Sequence, residues 1–166
     1  MPDLIADPSP REAAIIEPKR LPIPRWLIRT IWVGHRAAYA ITGGWFGLRT
    51  PTADRYGMLR LTTMGRRSGE ERHAILAYVE DAPDLVLMAM NGWADPEPAW
   101  WLNLQAHPDA RVELPAGPRA VTARVADEAE RRRLWALWDR TWAGDLDAWA
   151  ANRSRQTQLI VLAPRS

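Results

Sequence analysis

The sequence predicts a mainly β protein with flanking helices, an α+β fold built around a small antiparallel barrel. Its 166 residues are enough for one hydrophobic core. Between residues 58 and 125 short apolar runs alternate with turns rich in Gly, Pro and Asp, a spacing typical of antiparallel meanders. The strands do not alternate with long crossover helices, as a doubly wound parallel sheet would require. These observations favour a closed or partly closed barrel with helices at its rim.

Two regions are expected along the chain. Residues 1–24 contain six prolines and predict an extended or disordered tail. A single barrel domain is predicted over residues 25–166. It starts with an amphipathic helix over about 25–40, which carries Arg25, Arg29 and Arg36 on one side. The glycines of the sequence TGG (42–44) end that helix.

The remaining elements follow from periodicity and turn chemistry. The turn DAPD (81–84) separates the second strand from the third, and PAG joins the fourth to the fifth. A short helix is predicted from about Pro98, because proline is favoured in the first helical turn. A longer one is predicted over 127–142, where Asp127 and Glu130 have the spacing of a capping box. The predicted strands are 58–64, 72–80, 85–90, 110–114, 119–125 and 158–163.

Charge and composition limit the function. The net charge is only +2, so no nucleic-acid partner is expected. Residues 19–69, however, hold ten Lys or Arg and one acid, Asp54, which predicts an anionic partner: a phosphate, a polyanionic tail or a membrane surface. The chain has no cysteine, and its three histidines lack metal-ligand spacing, so neither a cysteine nucleophile nor a metal site is expected.

No signal segment or spanning helix is recognised in the sequence. The expected location is therefore the cytoplasm. Peripheral contact between the basic helix at 25–40 and the anionic inner face of the plasma membrane is left open.

The sequence LTTMGRRSG (61–69) is the first candidate binding element. Gly65 ends a strand and Gly69 closes a turn that offers two guanidinium groups, a hydroxyl and backbone N–H groups, all of them donors. Two arginines so close together repel each other unless an anion lies between them. The alternative is an ordinary exposed hairpin turn with solvated arginines. The pattern is not a Walker motif, because it lacks the lysine and the helix that follows.

The sequence AMNGWADPEPAWWLNL (89–104) is the second. A buried strand leads to Asn91 and Gly92, and glycine lets a ligand approach the backbone closely. The helix that follows presents Trp100 and Asn103, and an indole beside a bare backbone can face a planar heterocycle. The alternative is core packing of Trp100 with Asn103 as a local cap. The acidic residues Asp95 and Glu97, each followed by a proline, are interpreted as part of a stiff solvent loop.

Together the two blocks resemble the deazaflavin-dependent nitroreductase family, split β-barrel oxidoreductases of actinobacteria that bind coenzyme F-420. The family pattern is Thr-Thr-x-Gly-Arg-Arg/Lys-Ser/Thr-Gly and an Arg, then Asn/Lys-Gly-Gly, then Pro-x-Trp-aromatic-x-Asn-Leu. The first block matches at Thr62, Thr63, Gly65, Arg66, Arg67, Ser68, Gly69 and Arg72. The second matches at Asn91, Gly92, Pro98, Trp100, Trp101, Asn103 and Leu104.

The resemblance implies an FMN-binding-like split β-barrel that uses coenzyme F-420 rather than FMN. It implies hydride transfer from the reduced deazaflavin to a planar hydrophobic acceptor, such as a quinone or an enone. The Gly-Arg-Arg-Ser-Gly turn would bind the phosphate and glutamate tail, and the strand end with the Trp100 helix would border the ring. No catalytic side chain is assigned, because the ring carries the chemistry. The implied cofactor-binding residues are Thr63, Gly65, Arg66, Arg67, Ser68, Gly69, Arg72, Met90, Asn91, Gly92, Trp100 and Asn103.

Two departures from the family pattern concern the acceptor. Trp93 replaces the second glycine of Asn-Gly-Gly, and the segment before the last strand has tryptophans where nitroimidazole-reducing members have tyrosines. Trp93, Trp142 and Trp149 are therefore predicted to line the substrate pocket and to favour flat apolar substrates over nitro compounds. The alternative is that these indoles only fill the rim of the barrel. The alternative function is a non-catalytic split-barrel protein that binds a flavin-like or lipid ligand. Both a monomer and a homodimer remain open.

Overall fold

The structure is a computed structural model that describes residues 47–165, which form a closed antiparallel barrel of six strands. The barrel order is β1-β2-β3-β6-β5-β4. The strands are β1 (Gly57–Met64), β2 (Glu71–Asp81), β3 (Asp84–Met88), β4 (Asp109–Leu114), β5 (Gly117–Val125) and β6 (Leu159–Pro164). The helices of this part of the chain are α1 (Ala99–Ala106), α2 (Glu128–Thr141) and α3 (Leu146–Ala150). The predicted mainly β barrel with flanking helices is confirmed.

All six predicted strands are present, and their ends differ from the predicted ones by at most two residues. The tail predicted over 1–24 and the helix predicted over 25–40 lie outside the described residues. Helix α3 was not predicted. It is only five residues long, buries Leu146 alone and is capped by the preceding residue, Asp145, whose carboxylate accepts a hydrogen bond from the Ala148 N–H.

The predicted capping box at the start of α2 is confirmed. The Asp127 side chain accepts a hydrogen bond from the Glu130 N–H, and the Glu130 carboxylate accepts one from the Asp127 N–H. Hydrogen bonds from the Arg124 guanidinium and from the Asp127 backbone lower the pKa of Glu130 to about 2. The carboxylate is therefore ionised at neutral pH and favourable at this positive helix end.

Strands β3 and β6 each have a run of four apolar residues, 85–88 and 159–162, because both faces of the strand are buried there. Leu85 and Leu87 point into the barrel, whereas Val86 and Met88 pack in an outer layer beneath α2. The centre of that outer layer is Trp138, which is fully buried. Two-sided burial removes the polar alternation that marks a half-solvated strand.

Helix α1 contributes side chains to the hydrophobic core inside the barrel. Trp100, Trp101 and Leu104 insert into the interior cluster, and the helix packs against β1 and β2. This packing brings α1 beside the turn that joins those two strands.

Among residues 47–165, no helix has the length and apolar character needed to cross a membrane.

Candidate cofactor and substrate site

The β1–β2 turn is closed by its own backbone. The Gly65 N–H donates to the Glu70 carbonyl at 2.8 Å, and the Gly69 N–H donates to the Gly65 carbonyl at 2.8 Å. A Cβ atom at Gly65 would lie 2.8 Å from the Ser68 hydroxyl oxygen, so only glycine fits there. Gly69 has φ +67°, a conformation that L side chains rarely adopt. The two glycines therefore hold residues 66–68 at an exposed tip.

This tip has the chemistry of an anion site. Arg66 and Arg67 are exposed, and neither has an acidic partner among residues 47–165. The predicted third arginine, Arg72, donates to the Glu70 carboxylate at 2.8 Å and to the Ser68 hydroxyl at 3.2 Å. Because that ion pair is exposed, it contributes little energy and can rearrange. The residues present therefore fit a phosphate with an acidic extension.

Asn103 connects the turn to α1. Its Oδ1 accepts hydrogen bonds from the Arg66 N–H and from Arg66 Nη1, both at 3.2 Å, and its Nδ2 donates to Thr63 Oγ1 at 3.2 Å. Asn103 is 5 % exposed and Thr63 is 2 % exposed, so both lie beneath the turn. The side chain of Asn103 thus supports the arginine turn rather than capping its own helix. Direct contact of Thr63 and Asn103 with a cofactor stays a prediction.

The loop after β3 contains a tight turn. The Ala94 N–H donates to the Asn91 carbonyl at 3.1 Å, and the two central residues, Gly92 and Trp93, have φ of 57° and 62°. Positive φ at both central positions is the geometry of a type I′ turn. The geometry accounts for the two glycines of the family pattern and shows that Trp93 adopts a strained conformation, at a cost of about 1–2 kcal/mol.

The strained indole packs into an aromatic cluster, defined here as Tyr56, Trp93, Trp138 and Trp142. The Trp93 and Trp142 rings meet edge to face with centroids 5.5 Å apart, and Tyr56 lies 6.0 Å from Trp142 and 6.1 Å from Trp138. The Arg49 guanidinium lies 5.0 Å from the centre of the Tyr56 ring. The indole N–H groups of Trp138 and Trp142 are buried and have no hydrogen-bond partner within the described part of the chain.

The three predicted pocket residues are not equivalent. Trp93 and Trp142 come together, whereas Trp149 is 50 % exposed on α3 and lies outside the aromatic cluster. Tyr56 was missed, because it precedes β1 and no local pattern links it to α2. Trp100 packs in the barrel interior, as the alternative interpretation held. Its contact with a ring stays a prediction.

The acidic loop residues have structural partners. The Asp95 carboxylate accepts a hydrogen bond from the Ser154 N–H at 2.6 Å, and that bond is the main cause of the lowered pKa of Asp95. Glu97 lies 3.6 Å from the Arg153 guanidinium and 3.7 Å from that of Arg155. These carboxylates connect the loop to residues 153–155.

The sequence model of the F420H(2)-dependent quinone reductase family matches residues 32–164. The chain belongs to this family. An F420H(2)-dependent quinone reductase of Mycobacterium tuberculosis is 32% identical over 151 residues, which cover 86% of this chain and 99% of that protein.

Solved structures share the fold of this quinone reductase family member. One described as a domain-swapped dimer has a TM-score of 0.61 and 23% identity, covering 81% of this chain and 98% of its own. An F420-H2 dependent reductase, FDR-A, has a TM-score of 0.57 and 24% identity, covering 63% of this chain and 92% of its own. At these identities the likeness shows the split-barrel fold, as predicted.

Membership in the quinone reductase family confirms three predictions from the sequence. They are the oxidoreductase class, coenzyme F-420 as the cofactor and a quinone among the expected acceptors. The family favours the enzyme over the non-catalytic binding protein.

Proposed function

We propose that this protein binds coenzyme F-420 with its phosphate and glutamate tail at the Gly65–Gly69 turn and reduces a quinone beside the aromatic cluster. The observation that carries the proposal is the pair of exposed guanidiniums, Arg66 and Arg67, without acidic partners among residues 47–165. When bound, the reduced deazaflavin supplies the hydride. The protein contributes binding, orientation and exclusion of water.

The type I′ turn supports a ring-binding position beside Asn91 and Gly92. Both residues are exposed, and a Cβ atom built on Gly92 would meet no atom within 4 Å. Met90 is half-buried at the start of this loop. The bare backbone at Gly92 therefore leaves space for the edge of a flat heterocycle, with the Trp93 indole as the neighbouring surface.

The composition of the aromatic cluster supports a flat apolar acceptor. Indoles offer large apolar faces and a single N–H donor that does not ionise at neutral pH. The cluster contains one phenol, that of Tyr56, so it has fewer proton-bearing hydroxyl groups than a pocket lined by several tyrosines. A quinone fits this surface better than a nitro group, whose reduction requires several protonations.

The proposed function is tested with reduced coenzyme F-420 and two acceptors. We expect the wild type to reduce menadione, monitored by the return of absorbance of the oxidised coenzyme, and to reduce a nitroimidazole at least about tenfold more slowly, because general acid catalysis contributes 10²–10⁴-fold where a proton donor is present. Efficient nitroimidazole reduction would contradict the substrate preference. Tight coenzyme binding with no quinone reduction would favour the non-catalytic alternative.

Trp93→Gly is expected to broaden the range of acceptors. Glycine adopts φ near 62° freely, so the turn tolerates the change, and loss of the indole opens the space next to Trp142. We expect a lower KM for bulky quinones and unchanged affinity for the coenzyme tail. The matched truncation is Trp149→Ala. An equal change in KM in that variant would place Trp149 in the pocket, and an unchanged KM in Trp93→Gly would remove Trp93 from it.

We also propose peripheral contact with an anionic membrane. The arginines in residues 25–40 support reversible, salt-sensitive contact with an anionic membrane surface. Resistance to extraction by high salt would contradict a peripheral mode. A sedimentation measurement of the mass in solution would distinguish a monomer from a homodimer.

A further inference from the structure

Arg153 is an arginine in the interior of a barrel protein. Its side chain is 0 % exposed, and it lies in the segment between α3 and β6. A buried guanidinium is unfavourable unless its charge and its donors are satisfied. Here Nη1 donates to the Ala89 carbonyl at 2.8 Å and to Thr157 Oγ1 at 3.0 Å. Nη2 faces the Asp95 carbonyl at 3.4 Å and the Glu97 carboxylate at 3.6 Å, whereas Nε is buried without a hydrogen-bond partner among the described residues.

Three of these partners, Ala89, Asp95 and Glu97, lie on the two sides of the type I′ turn. Ala89 begins the loop of residues 89–98, and Asp95 and Glu97 are close to its end. One buried guanidinium therefore connects the two ends of the loop. The next residue, Ser154, adds a second connection through its N–H to the Asp95 carboxylate.

The turn needs such support for a physical reason. Its second central residue is Trp93, which is strained in a left-handed conformation that glycine would adopt freely. A short loop with a strained residue relaxes unless surrounding contacts determine its backbone. The contacts of Arg153 hold the backbone at both ends of the loop.

We infer that Arg153 is a positioning residue of the reductase, which holds residues 89–98 so that the Asn91–Ala94 turn keeps the conformation that receives the deazaflavin ring. This inference rests on the proposed function for the place of the ring. The geometry of the loop itself does not depend on it. Arg153 acts through the loop and is assigned no contact with the coenzyme or the quinone.

The test compares Arg153→Lys with Arg155→Lys. Both arginines face the Glu97 carboxylate at nearly the same distance, but Arg155 is 53 % exposed and donates to no loop carbonyl among the described residues. Lysine keeps the charge and loses the fork that bridges several acceptors. Amide hydrogen exchange of residues 89–98 in the cofactor-free protein reports on the loop, and titration with oxidised coenzyme F-420 reports on the site.

In Arg153→Lys we expect faster exchange at the Ala94 amide and coenzyme affinity lower by about tenfold, the effect of losing a hydrogen bond to a charged group. In Arg155→Lys neither quantity should change. Thr157→Val removes one acceptor of the guanidinium and keeps the charge, so it should move both quantities in the same direction by less. It also serves as the test if Arg153→Lys does not fold.

The outcomes separate this inference from the proposed function. Normal Ala94 exchange and normal coenzyme affinity in Arg153→Lys, with only a lower melting temperature, would overturn the positioning role and leave the proposed function intact. Failure of the wild type to bind coenzyme F-420 would overturn both. Equal effects in the Arg155 variant would attribute the result to loss of any guanidinium beside Glu97 and would also overturn the inference.

Discussion

Replacing Arg66 and Arg67 together by alanine is expected to weaken binding of coenzyme F-420 by at least about 100-fold. Each charge-assisted hydrogen bond is worth about 1.5–3 kcal/mol, and about 1.4 kcal/mol corresponds to a tenfold change in affinity. Both side chains are exposed, so the fold should lose little. The Arg66 backbone N–H still donates to Asn103 in the variant, which keeps the turn attached to α1.

The measurement is a titration of the folded double variant with oxidised coenzyme at low and at high salt. The matched control is Arg132→Ala with Arg140→Ala, which removes the same charge from two exposed residues of α2. The wild type should lose affinity as salt rises, whereas the Arg66 and Arg67 variant should depend on salt much less. Unchanged affinity in this variant would refute the tail-binding role of Arg66 and Arg67. An equal loss of affinity in the control would show that the effect comes from the net charge of the protein and not from these two side chains.

Asn103→Asp is expected to preserve the fold and to reduce coenzyme affinity by about 100-fold, because an additional negative charge beside an anion costs several kcal/mol. The carboxylate can still accept from the Arg66 N–H and from its guanidinium, and the Thr63 hydroxyl can reverse its role and donate. The support of the turn therefore remains. The charge of Arg66, however, is neutralised by the buried carboxylate and no longer serves the ligand.

The control for this charge change is Asn152→Asp, at an exposed asparagine near the end of α3. Thermal unfolding and coenzyme titration are measured on both variants. Retained affinity in Asn103→Asp would show that the anion binds elsewhere than beside Arg66. A similar loss in Asn152→Asp would show a general response to charge.

Local chemistry was sufficient to predict most elements of this protein. Alternation and turn residues identified six strands, because a strand that buries its side chains and ends at Gly, Pro or Asp is recognisable within about ten residues. The capping box at Asp127 and Glu130 is equally local, since both partners lie within one helical turn. The arginine turn was predictable because glycines mark tight turns: Gly69 has a positive φ that few other residues adopt, and a Cβ atom on Gly65 would lie too close to its neighbours.

Family resemblance linked two sequence blocks, and the contact between them required the fold. The sequence indicated that Asn103 matters but not that it supports Arg66 and Thr63, which lie on another element. The same limit applies to Trp93. Its identity departs visibly from the family pattern, whereas its positive φ and its contact with Trp142 appear only in three dimensions.

The type of each long element, the two binding blocks and the chemistry of the arginine turn could be read from local sequence. The position of β6 between β3 and β5, the place of Tyr56 in the aromatic cluster and the contacts of Arg153 with the loop after β3 became visible only in the folded chain. The difference lies in the range of the contacts. Strand pairing across a closed barrel and the partner of a buried guanidinium depend on residues far apart in the chain, and no spacing within a single segment specifies which of them will meet.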